Sequence, residues 1–378
     1  MKIGVTTFLS TKSNYGQVLQ AYALQTVLKG WGHEAYVIKE SINGFPFWLR
    51  VKGWVEKCLS PKQFFLAMQN GKGAVEEKHD RQFDKFISNN ISVWPQVCKS
   101  LSEVKNNSSD FDALITGSDQ VWNKYMTKEK HSFYLLQFGK EDCKRISYAA
   151  SFGRDSLYIH EKSYFRKALS GFKLVTVRES TGKRICDKIG IESTIVADPV
   201  ALLTREDWKK IAYGGEDIEV KDIKNAESAF TYMIANSNGE SSCISPIVDH
   251  LKSKGKKVTY VSASRFRDEL TNAWPTIPEW IRSINEASVV ITDSFHCTLF
   301  SIILNTPFVV IPREGSSSAM NNRITTLLDT CGLKSRFVTD SDAKKLDTLL
   351  ATEINWKEVN GRLSTYRSFS VNLLQSNL

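Results

Sequence analysis

Short runs of β-branched and apolar residues alternate with amphipathic stretches along almost the whole chain. Residues 2–8 are a β-rich run and 10–16 a polar turn, while 17–29 place Val18, Leu19, Tyr22, Leu24, Val27 and Leu28 at helical spacing. Gly30 and Gly32 punctuate the pattern before a second apolar run at 35–38, so the stretch predicts a βαβ unit. Further apolar runs at 111–116, 145–150, 174–177 and 194–197 predict buried strands, with helices at 164–169 and 181–189 between several of them. The first sheet is expected to end near Asp198-Pro199, and the charged, Gly-containing stretch 204–227 reads as a surface linker.

The same pattern then restarts. Strands are predicted at 229–234, 257–261, 289–292 and 308–311, helices at 245–254, 277–286, 295–304 and 322–331, and a last helix at 356–378. Two successive βαβ sets predict an α/β chain of two doubly wound, Rossmann-like domains facing a cleft. Their bounds are 1–203 and 228–355, joined by the linker 204–227 and followed by the C-terminal helix 356–378. Residues 41–110 break the alternation and read as a mostly helical insertion in the first domain. There Phe45, Phe47, Trp48, Trp54, Phe64 and Phe65 stand near Arg50, Lys52 and Lys57, a mixture that suits either packing on its own domain or contact with a membrane surface.

Composition narrows the class. With 378 residues, 42% hydrophobic and 24% charged, the chain is neither fibrous nor disordered. No apolar stretch approaches a membrane span, and the N-terminus lacks a signal-peptide layout, so a cytoplasmic location is expected. The net charge of +9 is scattered instead of forming a stripe, which fits small anions or an anionic inner membrane face better than nucleic acid. Seven dispersed cysteines without a C-x-x-C pair argue for reduced thiols and against a zinc site. The triplets Asp110-Phe111-Asp112 and Asp340-Ser341-Asp342 read as element-flanking polar residues, so no metal is expected.

In open α/β sheets, loops beyond the carboxyl ends of the strands converge on the ligand. Those loops hold Ser13-Asn14-Tyr15-Gly16-Gln17, Gly117-Ser118-Asp119-Gln120-Val121-Trp122-Asn123 and Arg178-Glu179-Ser180 in the first half. The second half supplies Asn236-Ser237-Asn238-Gly239, Asp293-Ser294-Phe295-His296 and Arg313-Glu314-Gly315. Any one cluster also reads as turn formers and caps; six on one edge point to a site. His296 opens a helix that Ser294 can cap, where free N–H groups attract an anion and a His is placed to donate a proton; the bland reading is a His bonded to a carbonyl. Arg178, read as lying in an exposed loop, can grip a carboxylate or phosphate in a planar fork, or simply pair with Glu179. Neither a Gly-Lys-Ser/Thr phosphate loop nor G-x-G-x-x-G is present.

Taken together, Asn14-Tyr15-Gly16-Gln17, ITGSDQVWN (115–123), SYAASFG (147–153), VTVRES (175–180), ADPVALL (197–203), ITDSFHCTLFSIILNTPFVVI (291–311) and NNRITTLL (321–328) resemble the polysaccharide pyruvyl transferase family. The resemblance implies a GT-B-like fold with the acceptor on the first domain and the donor on the second. It implies transfer of pyruvate from phosphoenolpyruvate, a co-substrate needing no cofactor, to two hydroxyls of a sugar in a bacterial surface polysaccharide precursor, free or lipid-linked. It assigns donor-anion binding to Arg178 and general acid catalysis to His296. Cys297 stands where relatives often carry Gly. The chemistry would further use the Ser294 helix end, Asp119 or Glu179 as base, and Arg313 and Arg323 on anions. Asn14, Gly16, Gln17, Gly117, Ser118 and Asn123 would contact substrate. Two other readings compete: a nucleotide-sugar glycosyltransferase of the same architecture, and a non-catalytic carbohydrate-binding scaffold.

Overall fold

The computed structural model describes residues 1–39, 79–96, 103–104, 108, 110–127, 130–215, 224–234, 244–263, 270–313, 318, 320–338 and 343–378. β1 (Lys2–Thr6), β2 (Glu34–Val37), β3 (Ala113–Thr116), β4 (Lys144–Ala150), β5 (Leu174–Val177) and β6 (Thr194–Ile195) form one sheet in the order β2-β1-β3-β4-β5-β6. β7 (Asn225–Met233), β8 (Lys257–Ser262), β9 (Ala287–Thr292) and β10 (Phe308–Val310) form a second, ordered β10-β9-β7-β8. All pairings within both sheets are parallel, which requires a crossover between successive strands. The central strands are buried on both faces, and β3 and β10 are buried along their whole length, which is why they read as apolar runs without alternation.

The helices, in chain order, are α1 (Tyr15–Gly30), α2 (Phe83–Asn90), α3 (Ile159–Leu169), α4 (Ser180–Lys188), α5 (Arg205–Tyr213) and α6 (Ile244–Ser253). They continue as α7 (Ile277–Glu286), α8 (Phe295–Ile303), α9 (Asn321–Cys331), α10 (Ala343–Ala351) and α11 (Trp356–Asn377). Strand order reverses between β1 and β3 in the first sheet and between β7 and β9 in the second. These switch points open crevices beyond the strand ends. α1 starts at the first crevice and α8 at the second.

The two domains share apolar packing. The Tyr15 ring stacks on Trp280 of α7 at 4.9 Å and 7°, and its hydroxyl donates to the Pro275 carbonyl at 2.5 Å. Tyr232 of β7 donates in turn to the Ser13 carbonyl at 3.2 Å. α11 crosses back to the first domain. There Ser370 Oγ accepts from the Ala197 amide at 2.9 Å, and Arg367 donates to the carbonyls of Ala201 and Leu203.

Three expectations need adjustment. The stretch read as a linker contains α5, because Thr204 and Asp207 form a reciprocal cap that the charged composition hid. Trp208 on that helix is buried and donates to the Val200 carbonyl. α3 starts at Ile159 instead of 164, with Glu161 accepting from the Tyr158 amide at 3.0 Å. α4 has Glu179 at its N-cap, so Ser180 lies inside the helix. Of the insertion, α2 is described, whereas the aromatic and basic segment 45–57 and the loops 236–239 and 314–317 lie outside the described residues. Among the described residues no helix is long and apolar enough to cross a membrane.

Candidate active site

α8 begins as the sequence requires: Ser294 Oγ accepts from the Cys297 amide at 3.3 Å, and the Ser294 amide donates to Thr292 Oγ1 at 3.0 Å. Cys297 is fully buried without interrupting the helix. His296, in the first turn, points across the cleft to the first domain. Its Nδ1 edge lies against Gly16 so closely that a Cβ there would stand 2.0 Å from Nδ1 and 2.3 Å from Cγ. Its Nε2 lies 3.5 Å from Oδ2 of Asp198.

Asp198 is the residue that sequence reasoning missed. It follows β6 and caps the turn Pro199–Leu202, Oδ1 accepting from the Val200 amide at 3.1 Å. Oδ2 also accepts from Arg178 Nη1 at 2.8 Å and lies 2.9 Å from Ser118 Oγ. The signal was present, since Asp198 stands directly after a predicted strand, in the position that singled out the other six loops. Burial works to raise its carboxyl, but the adjoining His296 and Arg178 outweigh burial and hold it well below the usual carboxylate range.

Arg178 requires a correction. Instead of lying in an exposed loop it is buried, its side chain 1% exposed. Besides Asp198 it has Asp119 Oδ1 at 3.4 Å and Glu179 Oε2 at 4.0 Å, and the Phe295 ring covers the guanidinium at 4.6 Å. Three carboxylates and an aromatic face thus surround the guanidinium, whose Nε is buried without a hydrogen-bond partner. Asp119 is held low: burial would raise it, but Arg178, His296 and Arg323 prevail. Glu179 is pushed up by burial, against Arg178 and Arg323, and accepts from Ser151 Oγ at 2.8 Å.

Two further arginines of the cluster, Arg323 and Arg313, have fewer carboxylates around them. Arg323, at the start of α9, has Asp119 Oδ1 at 3.7 Å, and its Nε is buried without a hydrogen-bond partner. Burial first, then the like charges of Arg178 and Arg313, push it down to about 9. Arg313 donates through Nε to the Asp293 carbonyl at 3.0 Å and through Nη1 to Met320 Sδ.

The remaining candidates divide. Asn14 and Gln17 flank the start of α1, with Asn14 Oδ1 buried and unpartnered. Gly117 is required by packing: it has φ +111°, and a Cβ would stand 2.2 Å from the Tyr148 carbonyl oxygen. Ser118 is fully buried, its amide donating to Gln20 Oε1 and its carbonyl accepting from Thr7 Oγ1. Asn123 is buried and donates to Gln120 Oε1 at 2.9 Å. These last three pack into the first domain, where Ser118 and Asn123 bond to protein groups.

The Methanocaldococcus jannaschii UDP-GlcNAc 2-epimerase in complex with UDP-GlcNAc and UDP shares the architecture, with TM-score 0.54 at 12% identity over 100% of both chains. UDP-N-acetylglucosamine 2-epimerase from Rickettsia bellii aligns with TM-score 0.52 and 10% identity, covering 98% of this chain and 95% of that one. At such identities the likeness establishes the fold alone: two Rossmann-like domains in a GT-B-like arrangement. No curated protein matches the sequence. The sequence model of polysaccharide pyruvyl transferases, in contrast, matches residues 14–315, from the start of α1 to beyond Arg313 and across both walls of the cleft, and the chain belongs to that family.

Proposed function

We propose that this chain transfers pyruvate from phosphoenolpyruvate to two hydroxyls of one sugar in a polysaccharide precursor, forming a cyclic ketal and releasing phosphate. The observation that carries this reading is His296 at the capped start of α8, close to a cluster of buried arginines of which one, Arg323, is pushed down by burial first and then by its like-charged neighbours. A cation held at a cost beside a helix N-terminus favours a bound anion.

In this reading Arg323, Arg313 and the first-turn N–H groups of α8 hold the donor's phosphate and carboxylate, while His296 protonates C3. The C2 centre then takes one sugar hydroxyl, loses phosphate, and takes the second hydroxyl. Protons balance: one hydroxyl proton restores His296, and the other leaves with the phosphate. Asp119, ionised between Arg178 and Arg323, is the carboxylate that relays them. Arg178 acts indirectly, by fixing Asp119 and Asp198 in place.

His296→Gln tests the assignment. Loss of a positioned general acid costs about 10² to 10⁴ in rate, so the variant should bind phosphoenolpyruvate within several-fold of wild type yet release phosphate at least about 10²-fold more slowly with a panel of p-nitrophenyl glycosides as acceptors. Near-normal turnover removes His296 from the proton-donor role. Binding of a uridine diphosphate sugar with none of phosphoenolpyruvate would return the site to the glycosyltransferase reading.

A further inference from the structure

We propose that Gly16 and Asp198, both on the first domain, are positioning residues for His296 on the second, so that the proton donor is set in place by the opposing domain. This rests on the reading of His296 as the donor of the proton. The three heavy atoms nearest to where a Gly16 Cβ would stand all belong to His296, at 2.0, 2.3 and 2.7 Å. Gly16 is therefore small because an imidazole occupies the space its side chain would fill, and not because the backbone needs a left-handed turn; it lies within the helical α1. On the other edge of the ring, Asp198 Oδ2 faces Nε2 at 3.5 Å.

Neither neighbour is free to drift. Asp198 is fixed by Arg178, Ser118 and the Val200 amide, and α1 is fixed by the Tyr15–Trp280 stack one residue before Gly16. An imidazole between a close backbone and an anchored carboxylate is restricted in orientation, and a general acid needs that constraint. His296 supplies the proton, but the geometry that aims it comes from two elements of the other domain.

The test is a double-mutant cycle joined to a spectrum. Gly16→Ala suits the helix, alanine being the better helix former, but the imidazole must swing and the start of α8 must give way, because His296 Cβ would stand 2.7 Å from the new methyl; a thermal melt establishes that the variant is folded before its rate is read. Phosphate release from phosphoenolpyruvate with the p-nitrophenyl glycoside panel should fall at least about 10²-fold, while phosphoenolpyruvate affinity by calorimetric titration stays within several-fold. If Gly16 acts through the ring, adding Gly16→Ala to His296→Asn should change the residual rate by less than about threefold. In nitrogen-15 histidine spectra, the ring signals absent from His296→Asn should move in Gly16→Ala and in Asp198→Asn. Should Asp198→Asn fail to fold, Gly16→Ala decides alone. The proposal is overturned by a Gly16→Ala enzyme with wild-type turnover, by unmoved His296 signals, or by an equal loss in both backgrounds. If His296→Asn itself keeps full turnover, the proton-donor reading falls, and the spectra still decide whether Gly16 and Asp198 orient the ring.

Discussion

Arg178 Nη1 lies 2.8 Å from Asp198 Oδ2, joining the end of β5 to the turn after β6 with both side chains shielded from water. Because Asp119 and Glu179 surround the same guanidinium, removing it would take a cation from three buried carboxylates at once. Breaking a buried pair from one side typically costs about 3 to 5 kcal/mol. Arg178→Ala should therefore lose about that much stability in urea unfolding, and its loss of activity should follow its loss of fold. A variant as stable as wild type would show the network to be dispensable.

The same carboxylates set a pH dependence. Asp198 and Asp119 are both held below the ordinary carboxylate range in the folded chain, whereas in the unfolded chain they titrate near 3.9. Their contribution to stability is complete above the unfolded value and is lost as pH falls toward the folded one. Melting temperature should drop on acidification below about pH 4, and Asp198→Asn should flatten that drop. An unchanged acid limb in Asp198→Asn would assign the acid sensitivity to other groups.

Most of the fold was legible because parallel strands covered on both faces leave uninterrupted apolar runs, and glycines such as Gly30 and Gly255 close the helices between them. What stayed hidden depended on pairing across distance. Arg178 looked like a ligand group because two of the carboxylates around it, Asp119 and Asp198, lie far from it in sequence. Gly16 looked like a turn former or a substrate contact, since its real neighbour, His296, belongs to the other domain. Ser118 and Asn123 were polar residues in the right loop whose partners turned out to be protein groups.

The C-terminal helix should matter to the site as well as to the fold. α11 holds the segment that carries Asp198, through Ser370 to the Ala197 amide and through Arg367 to the carbonyls of Ala201 and Leu203. Residues Leu363 and Leu374 are buried with it. Arg367→Ala with Ser370→Ala frees three buried backbone groups, at about 1 to 3 kcal/mol each when left unpaired. The double variant should melt at lower temperature and, while still folded, turn over more slowly because Asp198 is less firmly placed. A lower melting point with unchanged turnover would confine α11 to a structural role.

Arg323 should behave in the opposite sense to Arg178, although both belong to one cluster. Arg178 gains from its surroundings, with three carboxylates around it, whereas Arg323 is depressed to about 9 by burial and by the like charges of Arg178 and Arg313. Its Nε lacks a partner, and Asp119 at 3.7 Å is already paired to Arg178. In the proposed reading Arg323 is a binding group traded against stability. Arg323→Met should leave the unliganded enzyme as stable as wild type or slightly more so, since an apolar chain of similar length replaces a poorly compensated cation. Loss of a charged hydrogen-bond donor to the ligand costs about 1.5 to 3 kcal/mol, which corresponds to roughly 10- to 150-fold weaker phosphoenolpyruvate binding. Thermal melts with and without phosphoenolpyruvate measure both effects at once: the ligand-induced rise should shrink in Arg323→Met while the unliganded midpoint holds. A variant that melts earlier yet keeps the full ligand-induced rise would place the anion site elsewhere in the cleft.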